Sequence, residues 1–377
     1  MIFLDNASTT KPSKDCINIS GFYQTERFFN PSAPYHPSVV AAEDLSHFRD
    51  TIIKKLKGNG KIVFTSSGTE SDNFALFCSK KRNGSRIIVS QSEHPAVATC
   101  ANELKNRGFD VVFCPVDASG RVIEEEFLQL LSKDVSLVSI MHVNNETGAQ
   151  NDVKRLCALT KNFDSNILFH SDGVQALGKV PVALDDLGVD FYSMSAHKIH
   201  GLRGVGALFI KNGLHLRTFL YGGGQEFNVR SSTENLAGIA AFSCAVDYAI
   251  NHQKENYEKV KDLNGYLRTA LSEQGDAYKI ISDPGGSPYI LNFAMRYVRG
   301  EVMVHSLEKY EIFVGTGSAC SSKKTDRTVA KFANLSPEYE KGVLRVSFDE
   351  NTSKDDVDYF INKLNLEYLA IEKYMRG

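Results

Sequence analysis

The segment Phe191-Tyr-Ser-Met-Ser-Ala-His-Lys198 starts as a short apolar run and ends in polar residues. Aromatic residues are frequent in β-strands, so its first part predicts a buried strand. Glycines follow closely, at Gly201, Gly204 and Gly206. In open α/β sheets, ligands bind beyond the carboxyl ends of the strands. The segment therefore predicts an α/β protein with a ligand site at one edge of its sheet.

Other segments have the same strand character. Each is a short apolar run that ends in a polar or glycine-containing loop. They cover residues 61–65, 86–90, 110–114, 137–141, 167–170 and 206–210. Between them lie helix-length patterns at 71–81, 96–107, 123–131 and 153–160. This alternation predicts a sheet that helices cover on both faces.

The last third of the chain differs from this alternating region. One long helical stretch is predicted from 236 to about 274, followed by a shorter set of strands and helices. A chain of 377 residues with 42% apolar content is long enough for more than one core. We therefore predict a domain boundary near residues 250–260.

The charge balance disfavours two classes of partner. The net charge is −2, so no excess of positive charge is available for a nucleic-acid backbone or an anionic membrane surface. No apolar run approaches the length of a membrane span, and Asp5 stands where a targeting signal is basic or apolar. The seven cysteines show no Cys-x-x-Cys spacing, so no metal site is expected. We expect a soluble, cytoplasmic protein.

Two polar sets follow the predicted strands at 61–65 and 86–90. Gly68 and Thr69 stand at a strand-to-helix turn, where free N–H groups and a hydroxyl suit a phosphate. An ordinary helix N-cap explains the same residues. His94 follows the second strand and could stack on an aromatic cofactor or carry a proton, although a lone histidine is more often structural.

Three more polar residues follow later strands. A carboxylate at Asp172 could pair with a protonated ring nitrogen, the contact that makes pyridoxal phosphate an effective electron sink. Gln175 and Asn145 would then donate to the ring oxygen or to the substrate. Each of these residues is also common in caps and turns.

Lys198 and Cys320 are the candidate reacting groups. Ser195 and His197, which flank Lys198, could reach a phosphate, and a lysine in that place suits imine formation. A lone lysine is usually a solvated charge. Cys320 lies in a stretch of small residues at 315–322, which predicts a mobile, exposed thiol in place of an inert core cysteine.

Many short motifs, in order along nearly the whole chain, resemble those of the cysteine desulfurases. They are Leu4-Asp-Asn-Ala-Ser-Thr-Thr10, Asn30-Pro-Ser32, Thr69-Glu-Ser-Asp-Asn73, Glu93-His94, Met141-His-Val-Asn-Asn-Glu146, Asp172-Gly-Val-Gln175, Ser195-Ala-His-Lys198, Gly222-Gly-Gly-Gln-Glu226, Arg230-Ser-Ser-Thr233, Gly317-Ser-Ala-Cys320 and Leu344-Arg-Val-Ser347. The ordered match is more specific than any single motif.

The resemblance implies a fold-type-I pyridoxal-phosphate enzyme. Such a protein has a large α/β domain with a seven-stranded, mostly parallel sheet and a small α+β domain. Here residues 15–255 would form the large cofactor-binding domain, and 1–14 with 256–377 the small domain that carries the mobile Cys320 loop. The resemblance also implies a homodimer with active sites at its interface.

The resemblance assigns a role to each candidate residue. Lys198 would hold the cofactor as a Schiff base, His94 would stack on its ring, Asp172 would pair with the ring nitrogen and Gln175 would face the ring oxygen. The phosphate would be bound by Gly68, Thr69, Ser195 and His197, with Thr233 from the partner subunit. The substrate would contact Asn145, Arg345 and Asn30. The guanidinium of Arg345 would form a bidentate pair with the substrate carboxylate.

The implied reaction converts L-cysteine to alanine. The amine of L-cysteine would displace Lys198, which would then remove the Cα proton, with His94 as a proton carrier. Cys320 would attack the substrate sulfur and keep it as a persulfide. The spacing of 25 residues between Cys320 and Arg345 resembles the longer-loop, NifS/IscS-like branch, which delivers sulfur to Fe–S scaffold or tRNA-thiolation proteins.

Three departures from the family pattern are visible. Ala196 and Ser232 stand where glycines are common, and the usual Leu-Gly is missing after Ser347. None of them removes a reacting group. A selenocysteine lyase or another aminotransferase-like enzyme stays an alternative, as does a catalytically silent scaffold of the same fold.

Overall fold

The computed structural model describes residues 1–79, 85–316 and 329–375. The strands are β1 (Ile2–Leu4), β2 (Gly60–Thr65), β3 (Arg86–Ser90), β4 (Asp110–Cys114), β5 (Val135–Ser139), β6 (Leu168–Asp172), β7 (Phe191–Ser195), β8 (Gly206–Lys211), β9 (Tyr278–Ile280), β10 (Ile290–Met295), β11 (Ile312–Val314) and β12 (Val343–Ser347). The helices are α1 (Lys14–Thr25), α2 (His36–Lys55), α3 (Gly68–Cys78), α4 (Pro95–Asn106), α5 (Glu124–Leu130), α6 (Val153–Phe163), α7 (Leu184–Leu187), α8 (Gln225–Asn228), α9 (Leu236–Asn251), α10 (Gln253–Ser272), α11 (Gly300–Glu308), α12 (Val329–Phe332), α13 (Pro337–Glu340) and α14 (Lys354–Met375).

The central sheet has seven strands in the order β2-β8-β7-β6-β5-β3-β4. Strand β8 runs antiparallel to both of its neighbours, and the pairs from β7 to β4 are parallel. The predicted α/β fold with a seven-stranded, mostly parallel sheet is confirmed. Strands β3 and β4 have the predicted bounds, and β5 lies at 135–139 in place of 137–141.

Helices cover both faces of this sheet, as the apolar strands require. Side chains of successive strand residues point to opposite faces. Ile87 and Ile88 are both fully buried, yet they belong to two different apolar clusters. One cluster lies under α1, α2 and α9, and the other under α3 and α4. A sheet covered in this way leaves the strand ends as the place where polar side chains can gather.

The helical stretch predicted from 236 to about 274 is present as two helices and not as one. The chain breaks at His252 into α9 and α10, although neither Pro nor Gly stands there. Helix α9 packs in the core of the large sheet, whereas Val260 and Leu263 of α10 belong to a second core. The break therefore lies where the chain passes from the first core to the second.

The second core contains residues from both ends of the described chain. Leu4 packs with Val260, Phe293, Leu344 and many other residues beyond position 257. Strand β1 pairs in parallel with β11, and β9, β10 and β12 form an antiparallel sheet. The predicted division at residues 15–255 agrees with this grouping of apolar residues and stays a prediction.

Two further observations concern the state of the cysteines and the apolar character of the helices. The structure shows Cys16, Cys78, Cys100, Cys114 and Cys157 as buried, free thiols, as expected of core residues. In the ranges that the structure covers, no helix has both the length and the apolar character that crossing a membrane demands.

Candidate active site

One cavity of about 630 Å³ lies at the carboxyl ends of the parallel strands. The loops after β2, β3 and β5 line it together with the ends of β6 and β7. It brings together most of the residues predicted from the sequence, namely Gly68, Thr69, His94, Asn145, Asp172, Gln175, Ser195, His197, Lys198 and Arg345.

Two of the predicted site residues that the structure describes are not part of this lining. Asn30 and Thr233 are exposed and lie outside the cavity of their own chain. The backbone of Ser32 donates to the side chain of Asn30 at 2.9 Å, which makes this residue part of a local turn. Cys320 lies outside the described residues.

Lys198 ends a short 3-10 turn, 196–198, directly after β7. Its Nζ donates to the carbonyl oxygens of Ala7 and Ser8, both at 2.7 Å. These carbonyls belong to the segment that follows β1. The N-terminal segment thus fixes the amine at the wall of the cavity.

His94 is the N-cap of α4. Its Nδ1 accepts from the backbone N–H of Ala96 at 3.1 Å, and Pro95 opens the helix. A nitrogen that accepts has no proton, so the neutral ring carries its proton on Nε2. Burial lowers the pKa of His94, although the Asp172 carboxylate acts in the opposite direction. His94 is therefore a neutral imidazole with a fixed tautomer.

Asp172 is the last residue of β6, and its Oδ1 accepts from the N–H of Val174 at 2.9 Å. Burial raises the pKa of Asp172 to about 7, and the nearby Asp72 carboxylate adds to the rise. Asp72 lies 3.5 Å from Nε2 of His170. Burial lowers the pKa of His170 to about 4, so this contact is not an ion pair at neutral pH. The two carboxyl groups form a buried acidic pair.

The loop after β2 and the end of β7 form an anion-binding corner. Helix α3 begins at Gly68, and the first N–H groups of a helix have no acceptor within it. The hydroxyl of Ser195 is buried and has no hydrogen-bond partner among the described residues. A Cβ on Gly68 would lie 2.6 Å from Cγ2 of Val174, so any other residue there would force Val174 to move. Free donors and a close backbone suit a phosphate.

The opposite side of the cavity is built around Arg345 on β12. Its Nη2 donates to Oδ1 of Asp5 at 2.7 Å, and its Nη1 donates to the carbonyl of Asn145 at 2.8 Å. The Nε is buried and has no hydrogen-bond partner in the described ranges. A Cβ on Gly315 would lie 2.9 Å from Nη2. The guanidinium is held by two contacts and keeps further N–H groups for a carboxylate.

Sequence reasoning missed three charged residues near the site. Asp5 pairs with Arg345, and Lys179 donates to Gln175 at 3.0 Å. Glu146 lines the cavity, and burial raises its pKa to about 7 against the effect of Arg345. Glu146 follows Asn145 in a strand-end motif, which was a signal. Lys179 gave none, because an isolated lysine usually lies at the surface.

The donor and acceptor groups of the cavity fit pyridoxal phosphate. The unpartnered Ser195 hydroxyl and the start of α3 match its phosphate. The Asp172 carboxyl, whose pKa burial raises, matches a ring nitrogen that carries a proton. The amine of Lys198 lies at the same cavity and matches its aldehyde carbon.

Comparisons with known proteins agree with this chemistry. A family model described as aminotransferase class-V matches residues 2–360. Cysteine desulfurase IscS of Dictyoglomus turgidum is 35% identical over 369 residues, which are 96% of this chain and 93% of that protein. Cysteine desulfurase NifS of Azotobacter vinelandii is 32% identical over 96% of this chain and 91% of that protein. The solved structure of a NifS-like protein superposes with a TM-score of 0.90 at 31% identity, covering 98% of this chain and 99% of that one.

Proposed function

Because this chain belongs to the class-V aminotransferase family and, within it, to the cysteine desulfurases, we propose that Lys198 and Cys320 divide the reaction between them. The enzyme removes sulfur from L-cysteine with pyridoxal phosphate as its cofactor. When bound, the cofactor stores the electrons that a proton leaves behind at the substrate Cα. One observation supports the residue assignments: Lys198 and most of the other predicted side chains line the same cavity.

The cofactor would be held at both of its ends. Gly68, Thr69, Ser195 and His197 would bind the phosphate, and Asp172 would pair with the ring nitrogen. Gln175 would donate to the ring oxygen, and the flat ring of His94 would stack on the cofactor. In a homodimer, Thr233 of the partner subunit would complete the phosphate site. The exposure of Thr233 on its own chain supports that arrangement.

Lys198 would anchor the cofactor and then move a proton. Two carbonyl oxygens hold its amine at the cavity wall, so the released amine stays near the substrate Cα. A neutral amine in that place can accept the Cα proton. His94 would carry the proton onward once its Nδ1 releases the N–H of Ala96 and accepts the proton, since Nε2 already holds the ring proton.

Arg345 would bind the substrate carboxylate, with Asn145 beside it. The Nε of Arg345 and the remaining N–H groups on its two Nη atoms allow a two-pronged contact. Asn30 keeps its predicted substrate role as part of this proposal, although it lies outside the cavity of its own chain.

Cys320 would take the sulfur. Its thiolate attacks the substrate sulfur, an S–S bond forms as the S–Cβ bond breaks, and the electron pair stays on carbon. Protonation of that carbon leads to alanine, and the persulfide stays on Cys320. The sulfur then passes to an acceptor protein, an Fe–S scaffold or a tRNA-thiolation enzyme, in the cytoplasm. The likeness to the IscS and NifS proteins supports this choice of acceptors.

An assay of alanine and sulfide from L-cysteine, with a thiol reductant present, tests both roles. We expect Lys198→Ala and Cys320→Ala each to lose sulfide release by about 10²-fold or more, since each removes a reacting group. After borohydride reduction, the cofactor should remain covalently bound in wild type and in Cys320→Ala but not in Lys198→Ala. Peptide mapping locates the attachment.

The control is Cys244→Ala, which removes a half-buried free thiol outside the cavity. It should release sulfide like the wild type. Wild-type sulfide release by Cys320→Ala would reject the persulfide role of that cysteine. A reduced cofactor attached to any residue other than Lys198 would reject the anchoring role.

A further inference from the structure

Lys179 is a buried lysine that the proposed reaction does not use. Only 6% of its surface is exposed, and it lies one turn after Gln175. Its Nζ donates to Oε1 of Gln175 at 3.0 Å. Lys179 also lines a small cavity of about 20 Å³ that it shares with Lys198. It thus lies directly behind the wall of the active site.

The contacts of the Gln175 amide determine its orientation. An ammonium group can only donate, so the amide oxygen must face Lys179. The carbonyl of Ala7 can only accept, and Nε2 of Gln175 donates to it at 2.8 Å. Turning the amide over would place N–H against N–H and oxygen against oxygen. Gln175 therefore presents the second N–H of Nε2, and not its oxygen, to the cavity that it lines.

We propose that Lys179 is a positioning residue that locks the Gln175 amide as a donor toward the ring oxygen of the cofactor. This inference rests on the proposed place of Gln175 at that oxygen. Lys179 itself lines the small cavity behind the wall and acts through Gln175.

Charged groups of both signs surround Lys179. Burial lowers its pKa to about 7, and the cations of Lys198 and Arg345 act in the same direction, against Glu350 and Asp349. The ammonium form is therefore present mainly below pH 7, where its contact with Gln175 is charge-assisted. Above that pH the neutral amine can also accept, so the lock weakens, and the Ala7 carbonyl alone then keeps the amide from turning.

Two further groups share the small cavity and bear on the charge of Lys179. The ring centroid of Tyr289 is 5.8 Å from the Nζ of Lys179. Nε2 of His200 lies 3.2 Å from Oε2 of Glu350, whose side chain raises the pKa of His200 although burial acts against it. A protonated His200 neutralises part of the negative charge of Glu350, which would otherwise stabilise the ammonium form of Lys179.

The lock should be visible in the titration of the bound cofactor. A donor on the ring oxygen stabilises the anionic oxygen, which then holds the neighbouring imine proton less strongly. Without Lys179 only the Ala7 carbonyl orients the amide, so the donor toward the ring oxygen is held less firmly. The pH midpoint of the visible absorption band should then rise by about one unit, the size of one lost hydrogen bond.

The experiment is a spectrophotometric pH titration of the holoenzyme. Lys179→Met should raise the midpoint by about one unit, whereas Lys179→Arg should keep it, because a guanidinium also only donates. Lys179→Gln, which can either donate to the amide or accept from it, is the second variant should Met disturb folding, and it should raise the midpoint by less than Lys179→Met. Lys105→Met removes an exposed lysine of α4 and should change nothing.

Gln175→Leu and the double variant with Lys179→Met separate the outcomes. The inference is supported if the double variant shifts the midpoint no further than Gln175→Leu alone. Additive shifts would show that Lys179 acts by its charge and would overturn the positioning role. A shift in Gln175→Leu with none in Lys179→Met or Lys179→Gln overturns the inference and leaves the proposed function intact. If Gln175→Leu leaves the pH midpoint unchanged, Gln175 does not contact the ring oxygen.

Discussion

The two walls of the active-site cavity differ in how their charges are balanced. On the wall that is proposed to hold the cofactor (the cofactor wall), Asp172 and Asp72 form a buried acidic pair whose pKa values burial raises to about 7. On the substrate wall, the charge of Arg345 is met by Asp5 within the same chain. The first wall gains from a positive partner that stays in place. The second already has a partner, and under the proposed function it would accept a substrate carboxylate beside it.

This difference suits a cofactor that stays bound at the first wall and a substrate that is exchanged in every turnover at the second. A buried carboxylate is costly until a cation pairs with it, so the cofactor wall favours permanent occupation. An arginine that is already paired can bind and release an anion without leaving an isolated buried charge. Substitutions should therefore affect cofactor chemistry on one wall and substrate affinity on the other.

The largest effect is expected from Asp172→Asn. An amide cannot supply the negative charge that a ring cation needs, so kcat/KM should fall by about 10²–10³-fold, measured as alanine formation. The control Asp262→Asn changes an exposed aspartate of α10. Unchanged kcat/KM in Asp172→Asn would remove the proposed distinction between the walls.

The same variant has a second, pH-dependent consequence in the apoprotein. The raised pKa of Asp172 stabilises the fold below pH 4, and this contribution is lost as pH rises through about 7. An asparagine has no such dependence. Between pH 5 and pH 8, urea unfolding should show Asp172→Asn gaining roughly 2–3 kcal/mol relative to wild type.

A smaller effect is expected from Arg345→Lys on the substrate wall. Lysine keeps the charge but cannot make a two-pronged contact, so KM for L-cysteine should rise about 10–100-fold. The visible band of the cofactor should not change. The exposed Arg299→Lys is the matched control. A KM equal to that of wild type would mean that the substrate carboxylate binds elsewhere.

The smallest effect is expected from Gly315→Ala. The added Cβ would lie 2.7 Å from Oδ1 of Asp5 and 2.9 Å from Nη2 of Arg345, so the pair must shift. We expect KM for L-cysteine to rise about 5-fold, which corresponds to mild overpacking. Gly265→Ala on α10, where a Cβ meets nothing within 4 Å, should leave KM unchanged and raise the melting temperature slightly. Equal KM values in the two variants would contradict the steric argument.

The fold could be predicted wherever one local pattern determined the structure. The apolar runs of β3 and β4 match the observed strands because both faces of the sheet are buried. The break at His252 could not be predicted, since it depends on two cores that meet only after folding.

The site divides in the same way. Asp172 and Ser195 follow strands directly, so topology alone brings them to one edge. Asp5 and Arg345 are 340 positions apart and meet through the packing of the second core. Lys179 is buried only because of tertiary packing, so no local sequence pattern indicates its burial.

The parallel pairing of β1 with β11 also has a consequence for biosynthesis. Residues 2–8 are translated early, yet their partners at 312–347 leave the ribosome more than 300 codons later. Until then, β1 has no strand with which to pair, and Asp5 has no arginine at position 345 to contact. The pairing of β1 with β11 and the Asp5–Arg345 ion pair can therefore form only after residues 312–347 have left the ribosome.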